Sequence, residues 1–116
     1  MAEVGLQTTD NRELKVVSEI RELYFILYKE LSKSKDYFIW QHCLKSLISV
    51  GSNLSEGNKR GLKEQLQFIR IAEGSMAEFE FQLSLIGIFK EQFDKIDKIK
   101  AMIYKLKSAV RSRESG

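Results

Sequence analysis

Residues 62–89 read LKEQLQFIRIAEGSMAEFEFQLSLIGIF and contain the strongest indication of the fold. Its apolar residues recur at steps of three and four, which places them on one face of an α-helix. That stripe comprises Leu62, Leu66, Ile69, Ala72, Met76, Phe79, Leu83 and Ile86. Further apolar residues, including Ile71 and Phe81, lie off the stripe, and a helix that is apolar around much of its circumference is usually buried on several sides. The sequence therefore predicts a central helix with other helices packed around it.

Three further segments show the same periodicity, and the four predicted helices span about residues 11–32, 36–57, 62–89 and 92–112. Short breaks separate them, namely SKSKD, the glycine-containing turn before residue 62, and EQFD. The chain has no proline and only seven glycines, which favours long helices with few connections. Four helices with short links predict an all-α, antiparallel up-down-up-down four-helix bundle.

The 116 residues are enough for one domain and too few for two. Residues 1–10 lack periodicity and are expected to form a flexible N-terminal arm, followed by the bundle over residues 11–113. Thr9 or Asp10 is expected to cap the first helix and Asp36 the second, because a short side-chain oxygen accepts hydrogen bonds from free backbone N–H groups.

The composition restricts the environment of the protein. The one cysteine, Cys43, excludes an intrachain disulfide and fits a reducing compartment. The first residues carry no basic segment followed by an apolar run, so we expect no signal peptide. No apolar run approaches the roughly 20 residues that span a bilayer. These features predict a soluble, cytoplasmic protein without membrane contact.

Residues capable of catalysis are sparse. His42 is the only histidine and lies next to Cys43, but adjacent residues of a helix point about 100° apart, so the pair cannot act as nucleophile and base. The third helix carries several carboxylates, yet no Glu-x-x-His pair accompanies them as in metal-binding bundles. We expect these carboxylates to form a solvated face or to pair with Arg70 and with lysines of neighbouring helices. The sequence predicts no catalytic residue, no metal, no cofactor and no enzymatic activity.

Basic residues form the one candidate binding surface. Six of them and no acidic residue lie between Lys98 and Arg113. A second basic cluster lies in the turn between the second and third helices, which an antiparallel bundle brings to the same end as the C-terminus of the fourth helix. The candidate nucleic-acid-binding residues are Lys59, Arg60, Lys63, Lys98, Lys100, Lys105, Lys107 and Arg111. The alternative is structural, because basic residues offset a helix dipole and cover apolar edges. No aromatic residues are expected to interleave with them for base stacking.

Two segments carry a family pattern. The first is SVGSNLSEGNKRG over residues 49–61, and the second is EQLQFIRIAEGSMAEFEFQL over residues 64–83. They resemble the four-helix-bundle proteins encoded in bacterial 23S rRNA intervening sequences, to which the accessory variability proteins of diversity-generating retroelements look related. The matching residues given a structural role are Ser52, Asn53, Glu56, Gly57, Gly74, Ser75, Glu78, Glu80 and Gln82. The family's proline is Gly51 here, and its Arg-Arg pair falls on Leu44 and Lys45.

The resemblance implies a non-enzymatic protein that assembles into homo-oligomers, in the family's case homopentameric rings with a positive surface. Its implied partner is RNA or an RNA-bound protein, and the alternative is a purely structural protein–protein module. Physically, the small residues Gly51, Ser52, Ser55, Gly74 and Ser75 are expected to let the second and third helices approach closely. Asn53 and Glu56 need polar partners if they are buried, and Arg70 or the Ser75 hydroxyl are the expected ones.

Overall fold

The computed structural model of the protein describes residues 13–87 and 90–116. Four helices account for most of them: α1 (Lys15–Leu31), α2 (Tyr37–Gly57), α3 (Leu62–Ile86) and α4 (Lys90–Ser115). No strand occurs within the described ranges. The predicted all-α four-helix architecture is confirmed.

Contacts between consecutive helices show that each runs antiparallel to the next, and for α2 and α3 these are the hydrogen bonds Ser46–Gln82 and Ser49–Ser75. In α1 and α2, the Ile20 side chain faces Gly51, and the Tyr28 ring lies edge-on to that of Trp40. A later residue of α1 therefore contacts an earlier residue of α2, as antiparallel packing requires. In α3 and α4, Glu73 pairs with Lys107 and Glu80 with Lys100. The α2–α3 interface is the most extensive, and α1 also packs on α4. The arrangement is the expected up-down-up-down bundle.

All four helices contribute to one apolar core. Leu27, Leu47, Phe79 and Ile99, one from each helix, are fully buried. The stripe predicted in the third helix is buried from Leu66 to Leu83, because its steps of three and four keep these side chains towards the other helices. The two ends of the stripe, Leu62 and Ile86, are half-buried and pack against the core.

The connection between α3 and α4 differs from the sequence prediction. The expected break at EQFD, residues 91–94, was wrong, because these residues lie inside α4. None of the four is a glycine or a proline, so nothing in them interrupts a helix. The break comes earlier, at Gly87, whose φ of 109° lies in the left-handed region that glycine adopts without strain. The predicted last residues of the third helix, 88 and 89, lie outside the described residues.

The expected helix caps have different outcomes. Asp36 occupies the N-cap position of α2, but its carboxylate makes no capping hydrogen bond. Its backbone N–H instead donates to the Ser34 hydroxyl at 3.0 Å. Thr9, Asp10 and the predicted arm over residues 1–10 lie outside the described residues, as does the predicted start of the first helix at residue 11.

The glycine that brings α2 and α3 together is not one of the two expected. Gly51 faces α1, where an added Cβ would lie 3.4 Å from the Ile20 side chain, and Gly74 is exposed with open space around it. The close approach occurs at Gly57, where a Cβ would lie 2.8 Å from the Cβ of Phe68. The prediction was right for Ser75, which is buried 2.9 Å from the Ser49 hydroxyl of α2, and wrong for Gly51 and Gly74, because helical periodicity does not identify which neighbour a residue faces.

Candidate nucleic-acid interface

A line of polar side chains joins α2 to α3 beside the core. The Ser46 hydroxyl donates to Gln82 at 2.7 Å, and the hydroxyls of Ser49 and Ser75 lie 2.9 Å apart. Asn53 donates to the Ser49 carbonyl at 2.8 Å. We call these five residues the polar seam. Because each hydrogen bond between the two helices requires a particular pairing of residues, the seam fixes their register.

The seam accounts for part of the family pattern. The expected partner Ser75 does take part, through Ser49, but Arg70 does not. Glu56 pairs with Arg60, one helical turn further on, rather than with Arg70, which is exposed. The expectation for Arg70 was wrong because Glu56 is only half-buried, and an arginine of the adjacent turn reaches it without crossing to α3.

Three of the candidate basic residues in α4 form ion pairs with carboxylates of other helices. Lys107 donates to Glu73 at 3.1 Å, and Lys100 donates to Glu80 at 3.2 Å. Lys98 lies 3.4 Å from a Glu19 oxygen in α1, beside the shorter bond from Lys95 at 3.0 Å. These pairs agree with the alternative in which lysines of neighbouring helices neutralise the acidic face. They link α4 to α1 and α3.

Other candidate cations remain available to a ligand. Lys59, Lys63, Lys105 and Arg111 are exposed and form no ion pair with any residue of the described ranges. Arg60 is held more firmly, since its guanidinium lies 5.7 Å from the centre of the Phe68 ring as well as against Glu56.

The turn between α2 and α3 lies at the same end of the bundle as the C-terminus of α4. The pairs Glu80–Lys100 and Glu73–Lys107 set the antiparallel register, in which further steps along α4 lead back towards the start of α3. We call this surface the basic end. Its cations are Lys59, Arg60, Lys63, Arg111 and Arg113. The carboxylates at the same end are Glu13, Glu56, Glu64 and Glu114, of which Glu13 is paired with Arg21 and Glu56 with Arg60. An excess of exposed cations at one end is the kind of surface that attracts phosphates.

The family model for the 23S rRNA-intervening sequence protein matches residues 12–111, which span all four helices. The chain belongs to this family. The resemblance inferred from the two motif segments is thereby confirmed. No curated protein and no solved structure matches the chain.

The remaining motif residues of this family member have separate positions. Gly57 lies buried against α3, and Glu80 forms its pair with Lys100. Ser52 is exposed at the edge of an apolar groove of about 480 Å³ between α1 and α2. Gly74 and Glu78 face outward from α3, away from the seam and the core. The family pattern thus marks the seam and also an outer surface of α3.

An aromatic side chain does lie among the basic residues of α4. Tyr104 is 66% exposed, directly precedes Lys105, and lines a groove of about 390 Å³ together with Lys100 and Ile103. The expectation that no aromatic residue interleaves with these cations was therefore wrong. Tyr104 lies between Lys100 and Lys105 along α4, and its exposed ring offers a flat surface beside Lys105.

His42 and Cys43 point in different directions in this family member, as the helical geometry predicted. The Cys43 thiol is buried 3.9 Å from the Phe79 carbonyl oxygen, and burial raises its pKa to about 12. His42 is exposed, with its ring 4.6 Å from that of Phe38. A buried thiol with a raised pKa is a poor nucleophile. Within residues 13–87 and 90–116, no three His, Cys, Asp or Glu side chains are grouped to hold a metal.

Among the described helices, none is long and apolar enough to cross a membrane.

Proposed function

We propose that this protein is a non-enzymatic subunit of a homo-oligomer that binds structured RNA through the basic end. The observation that carries the proposal is the set of exposed cations there, of which Lys59, Lys63 and Arg111 hold no carboxylate within the described chain. Such cations gain free energy at a phosphate by releasing its condensed counterions. Lys105, beside the exposed Tyr104, extends this surface along α4.

The paired lysines of α4 have a smaller part in the proposed interface. Lys100 and Lys107 would have to give up Glu80 and Glu73 before they could hold a phosphate, and those carboxylates would repel the RNA. Lys98 is similarly placed against Glu19. The proposed interface therefore consists of the basic end and Lys105. Lys98, Lys100 and Lys107 are left out of it.

Assembly would strengthen the weak field of a single subunit. Several large apolar side chains lie exposed on the bundle, including Phe38, Ile71 and Phe81, and such surfaces commonly mark contacts with other chains. The family resemblance implies a homopentameric ring. In a cyclic ring every subunit presents the same end on the same side, so several basic ends would meet one RNA. The implied partner is RNA or an RNA-bound protein in the cytoplasm.

The competing function is a purely structural protein–protein module without a nucleic-acid role. The ion pairs of Lys98, Lys100 and Lys107 favour it, because they use three of the eight candidate cations for packing helices. In the first function the unpaired cations bind RNA, whereas in the second they have no nucleic-acid partner. An RNA-binding measurement distinguishes the two.

The experiment compares two double charge reversals that are matched in chemistry. Lys59→Glu/Lys63→Glu alters the basic end, whereas Lys33→Glu/Lys35→Glu alters exposed lysines in the turn at the other end of the bundle. Each protein is titrated into a fluorescein-labelled RNA hairpin with an internal loop, and binding is followed by fluorescence anisotropy. Loss of two or more phosphate contacts is expected to weaken binding about tenfold or more at the basic end only. Equal losses for the two variants, or none for the first, would reject the basic end as the interface.

A further inference from the structure

Two ion pairs close the ends of a groove between α3 and α4. Glu80 and Lys100 lie 3.2 Å apart at one end, and Glu73 and Lys107 lie 3.1 Å apart at the other. The groove between the pairs has a volume of about 390 Å³, which is within the range of small-molecule sites. Each carboxylate at its ends is neutralised by a lysine, so the groove accepts an uncharged ligand without electrostatic repulsion.

The interior of this groove suits a flat ring. Its floor is apolar, because the buried side chains of Met76 and Ile103 line it. Ala77 of α3 and Tyr104 of α4 also line it, and each lies midway between the two ion pairs along its own helix. The Tyr104 side chain is 66% exposed. The single methyl group of Ala77 leaves space beside the tyrosine ring.

Two arginines continue the groove towards the basic end. Arg70 precedes Ala77 by seven residues and Arg111 follows Tyr104 by seven, so each arginine lies on the same face of its helix as that groove residue. The antiparallel register set by the two ion pairs brings the arginines opposite each other. Both are exposed, and neither forms an ion pair with any residue that the structure describes. Unpaired guanidinium groups in this position are suited to a phosphate, which arginine binds through two hydrogen bonds.

An unpaired nucleotide of RNA matches all of these parts. Its base is flat and stacks on aromatic side chains, and its edge carries donors and acceptors side by side. Tyr104 offers the stacking surface, and the intact Glu80–Lys100 pair offers an acceptor beside a donor. A base within a continuous duplex is stacked between its neighbours and cannot enter the groove. The groove is therefore complementary to a nucleotide that lies outside the helix.

We propose that this groove binds one unpaired base of the RNA, stacked on Tyr104, while its phosphate lies between Arg70 and Arg111. The inference rests on the proposed function and names the nucleotide that the protein recognises. The basic end holds the backbone of a structured RNA, and the groove adds a preference for RNA that carries a bulged or looped-out nucleotide. The lysines of the two ion pairs contribute by closing the groove and do not bind phosphate.

Removal of one base from the RNA tests the groove. An RNA duplex with one bulged adenosine is compared with the same duplex whose bulge is an abasic nucleotide, which keeps every phosphate. Both carry fluorescein, and binding is followed by fluorescence anisotropy. The wild-type protein is expected to bind the adenosine duplex about tenfold more tightly, because stacking on an aromatic side chain stabilises a bound base. Tyr104→Ala is expected to bind the two duplexes equally, whereas Tyr104→Phe, which keeps the ring, retains the preference.

The outcomes separate this site from the basic end. Equal binding of the two duplexes by the wild-type protein, or a preference that survives Tyr104→Ala, would overturn the groove as a base site. Salt-dependent binding without such a preference would leave the proposed function standing. A wild-type protein that binds neither duplex would reject both.

A second substitution fills the groove and leaves Tyr104 in place. Ala77 is exposed, so Ala77→Leu is expected to fold with the wild-type helix content and native mass. It is expected to lose the preference for the adenosine duplex and to keep its affinity for the abasic one. Ala109→Leu is the matched control, because Ala109 is exposed on α4 about 140° around the helix from Tyr104. Equal effects of the two substitutions on the preference would contradict the proposal.

Discussion

Gly57 of α2 and Phe68 of α3 lie so close that a Cβ on residue 57 would stand 2.8 Å from the Cβ of Phe68. The same added atom would lie 3.4 Å from the Gln65 carbonyl oxygen. Phe68 in turn lies beneath the guanidinium of Arg60, at 5.7 Å from its ring centre. The close approach of the two helices therefore also positions a cation of the basic end. Fold and candidate site depend on the same contact.

Replacing Gly57 tests this contact. Gly57→Ala forces α2 and α3 apart or displaces Phe68, and overpacking of this kind costs about 1–3 kcal/mol. The measurement is the free energy of unfolding in urea, followed by circular dichroism. The control is Gly61→Ser, because a Cβ there meets nothing within 4 Å and the hydroxyl can cap α3. That variant is expected to be more stable by a few tenths of a kcal/mol, roughly the difference between glycine and serine at an N-cap. A Gly57→Ala protein with the wild-type free energy of unfolding would contradict the close contact between Gly57 and Phe68.

The polar seam is tested by a double-mutant cycle on Ser49 and Ser75, whose hydroxyls lie 2.9 Å apart. Ser75→Ala is expected to cost about 0.5–1.5 kcal/mol, because the Ser49 hydroxyl loses a partner beside the core. Once Ser49 is already alanine, the same change should cost less. Additive effects of the two substitutions would mean that the hydroxyls do not interact in the folded protein.

Much of the fold could be predicted because its signals are local. The spacing from Leu66 to Leu83 is a property of one helix, and it correctly gave the buried side of α3. The α3–α4 break was misplaced because a polar sequence was interpreted as a turn. The helix ends instead at Gly87, which has the one positive φ among the described residues. Gly74 was assigned to the inside of the bundle because a small residue gives no direction by itself. Only the packed helices show that it faces outward.

The candidate site was predicted less completely. The basic residues were identified by their clustering, and the shared end of Lys63 and Arg111 follows from antiparallel packing. The sequence could not distinguish unpaired cations from those that form ion pairs, because the carboxylate partners of Lys98 and Lys107 come from other helices. Which lysine reaches which glutamate depends on helix register, and periodicity within one helix carries no information on register.

Acid should weaken the link between α1 and α4. The hydrogen bond from Lys95 lowers the pKa of Glu19 below its ordinary value, against an opposing effect of desolvation. A lowered folded-state pKa stabilises the protein above the unfolded-state pKa, and this contribution is lost as the pH falls through the folded-state pKa. Lys95→Met should therefore cost more stability at about pH 7 than at an acid pH below the folded-state pKa, where the carboxyl is protonated in both states.

Unfolding in urea at the two pH values measures this difference, with Lys35→Met as the control, since Lys35 is exposed and unpaired within the described chain. An equal cost of Lys95→Met at both pH values would show that the Glu19–Lys95 pair contributes no pH-dependent stability.

The Cys43 thiol is expected to be unreactive towards thiol reagents in the folded protein. With its pKa raised to about 12 by burial, it is almost entirely protonated at about pH 8 and shielded from reagents. We expect negligible reaction with the disulfide reagent DTNB in native buffer and one thiol per chain in urea. The rate across a urea series should follow the unfolding transition seen by circular dichroism. Rapid labelling of the native protein would place the thiol in a reactive environment instead.

The salt dependence of RNA binding reports directly on phosphate contacts at the basic end. For each phosphate that a protein neutralises on a duplex, the logarithm of the binding constant falls by about 0.9 per logarithmic unit of salt. Four phosphate contacts at the basic end therefore predict a loss of about a hundredfold between about 50 mM and about 200 mM salt. We expect such a slope for the wild-type protein and a smaller one for Lys59→Glu/Lys63→Glu. Absence of binding to a structured RNA at low salt, or an affinity independent of salt, would contradict it.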